Sequence, residues 1–259
     1  MTYLNTYKAP PPPVIPKHAH LETKPEEYDF NFYFDPKELT TDRLQLRPLV
    51  PSLHARLLYD EIKKCDPSML RWLVDYNTLD DFLAWFEGTI RSQPSALGYA
   101  IFSAPPGKEE PTKPEDFQIA GCCALINTDV GMMVSEIGWI IILEKFQRTH
   151  VLTHTAGLLA HRILDMPSEG GLGLRRCQWF ATSLNEKSRA AALRLGFKED
   201  GILRNHRVLV KGKEGANRGR PGDYREDCDS RDSWLACITW QDWESGAREH
   251  IDKLMARRK

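Results

Sequence analysis

The chain has 259 residues, 41% of them hydrophobic and 27% charged, the make-up of an ordinary soluble globular protein with room for one α/β domain and extensions. A net charge of −1 gives no global attraction to nucleic acid or to an anionic membrane, so recognition has to be local. No apolar run approaches the ~20 residues that a bilayer span requires, and Pro10–Pro13 stand where a signal peptide would have its apolar core. Cys65, Cys122, Cys123, Cys177, Cys228 and Cys237 form no Cys-x-x-Cys pair, which predicts buried thiols in a reducing, cytoplasmic setting.

In chain order, residues 1–38 read as a proline-rich extension, partly disordered, whose segment Tyr28–Phe34 alternates aromatic and polar residues and is expected to pack as a strand or surface arm. Residues 39–259 then read as one domain. Arg43–Leu49 alternates as a strand and stops at proline; Ser52 is expected to cap a helix running to about Lys64. A second helix is expected from about Leu79 to Arg91, and strands over Tyr99–Phe102, Ile119–Ile126 and Val134–Ile142. Pro105–Asp116 reads as a charged hairpin loop. Beyond Phe197 the pattern gives a strand at Arg207–Val210, a glycine- and charge-rich insertion at about 211–230, a strand at Ser233–Thr239 and a short helix from Trp240. Strands joined partly by hairpins and partly by helices predict a mixed sheet, an α/β (α+β) fold.

The richest stretch is Glu136–Phe197. An apolar strand, Ile137–Ile142, leads through a turn, Gln147-Arg148-Thr149, into a helix from about His150 to Leu164. A second strand, Cys177–Thr182, leads through Asn185-Glu186-Lys187-Ser188 into a helix that stops at Leu195-Gly196-Phe197. A strand entering a helix through a short turn aims backbone N–H groups and the positive helix end at one spot, a site for an anion such as pyrophosphate.

That order resembles the acetyl-CoA-binding half of the GNAT superfamily of N-acetyltransferases. Further landmarks are Asp66-Pro67 with Leu70-Arg71-Trp72-Leu73, Glu136-Ile137-Gly138, Phe146-Gln147-Arg148-Thr149, Asp200-Gly201-x-x-Arg204 and Arg231-Asp232-Ser233-Trp234. Together they resemble the RimJ/RimL-like branch, in a bacterial and fungal group with Gln-Arg-Thr in place of the glycine-rich pyrophosphate turn. The resemblance implies a mixed central sheet flanked by helices, with a splayed strand pair that binds acetyl-CoA. It implies that amides of Ile140, Ile141 and Ile142 hold the pantetheine, and that those of Gln147, Arg148, Thr149, His150, Val151 and Leu152 hold the pyrophosphate. Asn185 would fix the cofactor or cap its helix, and Ser188 would protonate the leaving thiolate. Asp200 and Glu136 are the candidate bases for the amine, acting directly or through one water.

The implied reaction is direct transfer of an acetyl group from acetyl-CoA to a primary amine, either a small molecule or a protein N-terminus, by a monomer or homodimer. Alternatives are an acyl-CoA-binding module with weak turnover, because the turn lacks glycine, and an O-acetyltransferase. His150, His154 and His161 share helical spacing but lack a third ligand pattern, so no metal is expected. Arg204–Arg220 carries Arg204, Arg207, Lys211, Lys213, Arg218 and Arg220 against Glu214 alone. Acidic residues follow it and no aromatic platform interleaves it, so it reads as a solvated loop and not as a nucleic-acid surface.

Overall fold

A computed structural model describes residues 3–11, 13–106 and 113–258. Residues 107–112 of the Pro105–Asp116 loop lie outside the described residues. The centre is an eight-stranded sheet in the order β1-β2-β3-β4-β5-β6-β8-β7. The strands are β1 (Leu39–Thr40), β2 (Leu44–Pro48), β3 (Leu97–Ser103), β4 (Gln118–Asp129), β5 (Val134–Ile142), β6 (Arg176–Thr182), β7 (Lys198–Val208) and β8 (Ser230–Thr239). Every neighbouring pair is antiparallel except β5–β6, which is parallel. That single parallel pair needs a crossover, and helix α3 (Val151–Leu164) supplies it. The fold is the mixed GNAT sheet that the sequence implies.

One face of the sheet carries α3 and α4 (Glu186–Arg194); the other carries α1 (Pro51–Ile62) and α2 (Leu79–Phe86). Because strand side chains alternate, the sheet core divides between them. Leu44, Leu46, Tyr99, Ile101, Leu125, Ile137 and Trp234 are all buried in it. α2 starts on a capping box in which Thr78 and Asp81 satisfy each other's backbone N–H. It passes directly into one π-type turn, Glu87–Arg91, which together span the helix expected there. α5 (Trp240–Asp242) and α6 (Arg248–Met255) close the chain, and α6 packs on α3, where a Cβ on Gly157 would lie 2.1 Å from Met255 Sδ.

Three local expectations change. Ser52 does not cap α1: Pro51 opens it after Val50, whose N–H donates to His54 Nδ1 at 3.0 Å. Burial then holds His54 neutral, its pKa lowered to about 4. The strand expected at Arg207–Val210 begins already at Lys198, straight after Phe197. Its side chains are exposed almost throughout, so the chain offers no apolar alternation there to announce a strand. Tyr28–Phe34 is an arm with no strand pairing; Tyr28 is buried, and Phe30, Phe32 and Phe34 pack against the core. The N-terminal segment already touches the domain at Ile15, and His18 and His20 reach Asp80 and Glu87.

Candidate active site

β5 and β6 pair over only three positions, Val134↔Arg176, Ser135↔Cys177 and Glu136↔Gln178. Beyond them Ile137–Ile142 and Trp179–Thr182 part, leaving a wedge between two adjacent strands. A bulge drives the parting. Cys122 pairs with Ile141 and Ala124 with Gly138, so Trp139 and Ile140 together oppose Cys123. Trp139 sits at φ +49, a conformation that bulky residues rarely adopt, and its ring packs edge-on to Trp85 of α2 at 5.0 Å. Opposite the bulge, a Cβ on Gly121 would fall 1.9 Å from the Ile141 carbonyl oxygen, so only glycine allows the two backbones this approach. The side of Ile140–Ile142 that faces the wedge makes no ladder with β6, which leaves its peptide groups open to a ligand except the Ile142 carbonyl, which accepts from Gln147 Nε2.

Glu136 stands at the apex. It is 5% exposed, and its Oε2 accepts from Asn127 Nδ2 at 2.7 Å. Burial pushes its carboxyl up to about 7, against smaller pulls downward from that hydrogen bond and from Arg207 and Arg231. By strand alternation Glu136, Gln178, Phe180, Ser233 and Arg231 share the face away from α3 and α4. His206 completes that wall, its ring tilted against that of Phe180 at 5.8 Å and bonded through Nδ1 to Ser233 Oγ at 2.9 Å. Across this face the insertion 209–229 reaches the loop after α1. Lys213 Nζ meets Asp75 Oδ1 at 2.8 Å and the Leu70 carbonyl at 3.2 Å, while Arg71 pairs with Glu214 at 2.5 Å.

On the opposite face, Trp179 Nε1 donates to Ser188 Oγ at 3.0 Å. The Ser188 hydroxyl proton is thereby left to donate elsewhere. Asn185 is the N-cap of α4, its Oδ1 accepting the Ser188 N–H at 3.1 Å. The Asn185 side chain therefore does hold the helix, with its amide nitrogen still free to serve a ligand.

The turn at the end of β5 contains no glycine. Arg148 takes the left-handed conformation itself, at φ +60. Gln147 Nε2 fixes the Ile142 carbonyl at 3.1 Å, and Thr149 Oγ1 fixes that of Phe146 at 2.6 Å. Among the described residues nothing takes the backbone N–H of Arg148, Thr149 or His150, so they remain free at the α3 N-terminus. Val151 is buried in the core and Leu152 is half-buried against it.

The histidines of α3 are structural. His150 Nε2 meets Ser103 Oγ at 3.0 Å, and His154 bridges Thr41 Oγ1 and Arg43 Nη2 at 2.9 and 3.0 Å. Burial holds both below their ordinary pKa. Asp200 is not brought to Glu136. It lies on β7, with β6 and β8 intervening, and its Oδ2 pairs with Arg176 Nη2 at 2.6 Å. The site residues that sequence reasoning missed are Asn127, Gln178, Trp85 and Arg231. Arg231 lies within a quoted landmark, Arg231–Trp234; the others carry no motif, and only the sheet register assembles them.

Among the described residues no helix is long and apolar enough to cross a membrane, and no cluster of three or more His, Cys, Asp or Glu could hold a metal ion. No curated protein matches the sequence. Solved structures do match the fold. A GCN5-related N-acetyltransferase from Brucella melitensis is 22% identical, with 86% of this chain and 87% of that one covered at a TM-score of 0.67. RimJ of Mycobacterium smegmatis, in complex with CoA-disulfide, is 15% identical, with 84% and 94% covered at 0.56. The microcin C7 self-immunity acetyltransferase MccE, in complex with acetyl-CoA and AMP, is 19% identical, with 77% and 93% covered at 0.54. The acetyltransferase (GNAT) domain family matches residues 43–198, from the start of β2 to the start of β7 and so across the whole wedge. The chain belongs to the GNAT family of acetyl-CoA-dependent acyltransferases.

Proposed function

We propose that the protein is an N-acetyltransferase of the RimJ/RimL-like branch, which passes the acetyl group of acetyl-CoA directly to a primary amine in a ternary complex. The observation that carries this reading is the buried Glu136 carboxyl, raised to about 7 at the apex of the wedge. An α-ammonium has a pKa near 8, so its proton moves to a carboxyl at about 7 for only ~1.4 kcal/mol; an ordinary carboxylate would ask ~5 kcal/mol. Raising the pKa of the base is what makes amine deprotonation feasible near neutrality.

In this reading acetyl-CoA lies along Trp139–Ile142 as a substitute strand, with a peptide N–H of the bulge stabilising the tetrahedral oxyanion. The free N–H groups of Arg148–His150, with that of Leu152 beside them, hold the pyrophosphate, and the Arg148 guanidinium adds charge. The N–H groups of Gln147 and Val151, expected to join them, are instead donated to the Glu144 carbonyl at 3.1 Å and to Thr149 Oγ1 at 3.3 Å. The amine enters from the α1–α2 face and gives its proton to Glu136, directly or through one water. The carbon–nitrogen bond forms, the tetrahedral intermediate collapses, and the carbon–sulfur bond breaks. Ser188, on the other face, gives the departing thiolate its proton. Asp200 is assigned a positioning role, steadying Arg176 at the closed end of the wedge.

The test is an acceptor screen with acetyl-CoA, read by thiol release and by product mass. Acetylated amines with a hydroxylamine-stable bond are expected. CoA binding without any acetylated product would instead favour a binding module.

A further inference from the structure

The insertion and its flanking strands carry many cations, and most have a partner. Lys211 pairs with Asp227 at 2.8 Å, Lys213 with Asp75 at 2.8 Å and Arg218 with Asp229 at 3.4 Å; Arg225 Nη2 reaches the Leu209 carbonyl at 2.9 Å. Among the described residues Arg204, Arg207, Arg220 and Arg231 have no carboxylate in ion-pair contact, and of these Arg207 and Arg231 sit directly opposite each other on β7 and β8. Like charges at facing strand positions repel. Arg231 is moreover half-buried, and its Nε is sealed from solvent with no hydrogen-bond partner. A buried guanidinium without an anion is expensive.

The nearest acids do not relieve the pair. Asp232 turns its Oδ1 to the Asn205 N–H and to Asn217 Nδ2, both at 2.7 Å, and Asp229 takes the Gly215 N–H and Arg218. Glu136 is a carboxyl whose field reaches both arginines, and burial pushes it up to about 7, so near neutrality it carries only part of a negative charge against their two positive ones. The acceptor face thus holds more positive charge than its base can offset. A simple ammonium would be repelled on approach, whereas an acceptor bringing its own negative group would be drawn in.

We propose that the acceptor is a small primary amine that also carries an oxyanion, a carboxylate or a phosphate, seated between Arg207 and Arg231 while its amine faces Glu136. This rests on the N-acetyl transfer proposed above. The guanidinium forks supply paired donors that match either oxyanion, and Phe180 and His206 form the wall between the two ends.

The experiment measures kcat/KM for the full chain with acetyl-CoA and matched acceptors. One arm sets ω-amino acids of increasing length against their carboxamides; the other sets O-phosphoethanolamine against ethanolamine. A preference of at least about tenfold for the anionic member is expected in one arm, which also identifies the oxyanion. Arg207→Gln, at an exposed position, and Arg231→Gln should each bring that ratio to within about twofold. Equal rates for the pair, or a preference that survives both substitutions, would overturn the proposal. So would a raised KM for acetyl-CoA with the acceptor preference intact, which would give these arginines to the donor. If neutral amines are acetylated without preference, the transferase reading stands and this inference alone fails. If no amine is acetylated, titration calorimetry of the CoA-loaded protein with the same pairs decides it: anion-dependent binding lost in Arg207→Gln supports the site, and equal binding refutes it.

Discussion

Glu136 of β5 and Gln178 of β6 are the last residues that pair before their strands part. That one register position sets the chemistry: it buries the carboxyl beneath the ladder while opening the peptide groups above it to a ligand.

Glu136→Gln removes the proposed base while keeping size and most hydrogen bonding. Its kcat/KM should fall by about a hundredfold or more, with acetyl-CoA affinity within a few fold of wild type. The wild-type profile should rise through pH about 7, and the variant should lose that limb. An unchanged profile would assign the base elsewhere, Asp200 first.

The same carboxyl leaves a mark on stability. Its folded pKa stands at about 7 against 4.5 for a free carboxyl, so between those values the folded chain holds a proton that the unfolded chain has lost. Stability from this group is therefore lost as pH rises through the window, by up to ~3 kcal/mol. Chemical denaturation of wild type and Glu136→Gln in parallel cancels other titrations. The stability of the variant relative to wild type should climb by that order from pH about 4.5 to about 7.

Ser188→Ala should lower kcat at least tenfold while leaving the KM for acetyl-CoA nearly unchanged. It also strips the Trp179 indole of its acceptor, costing about 1–2 kcal/mol of stability. A thermal melt separates the two effects, since a loss of stability alone would leave kcat intact below the transition.

Arg148→Gly tests the turn. The left-handed backbone at φ +60 suits glycine, so the folded state is relieved of about 1 kcal/mol of strain, offset by a similar entropy gain in the unfolded chain. The melting temperature should hold, while the KM for acetyl-CoA rises several-fold and loses part of its salt dependence. An unaltered KM would leave Arg148 as a solvated charge.

Much of the fold is legible in the chain because apolar periodicity is strong where strands are buried. Val134–Ile142 is read to the residue, and α3 to within one. β7 is not, since neither of its faces is covered and its side chains carry no alternation. At the site, Ser188 and Asn185 fall where motif order puts them. The partners that give them meaning, Trp179 for one and Asn127 for Glu136, come from strand register, which no local pattern records. The glycine-free turn reads in sequence as a defect; in the structure Arg148 takes the left-handed conformation there that glycine would otherwise favour.

The wedge also makes the sheet incomplete in its middle. Most sheets leave unpaired backbone only at their rims, whereas this one carries an open seam between its fifth and sixth strands. In the proposed mode of binding, acetyl-CoA is both reactant and missing strand. Backbone amides of Ile140–Ile142 should exchange with solvent fastest in the empty protein and slow when the seam is filled. Saturation at a hundred times Kd adds about 2.7 kcal/mol of stability by mass action alone, so the supply of donor would set how durable the enzyme is as well as how fast it works.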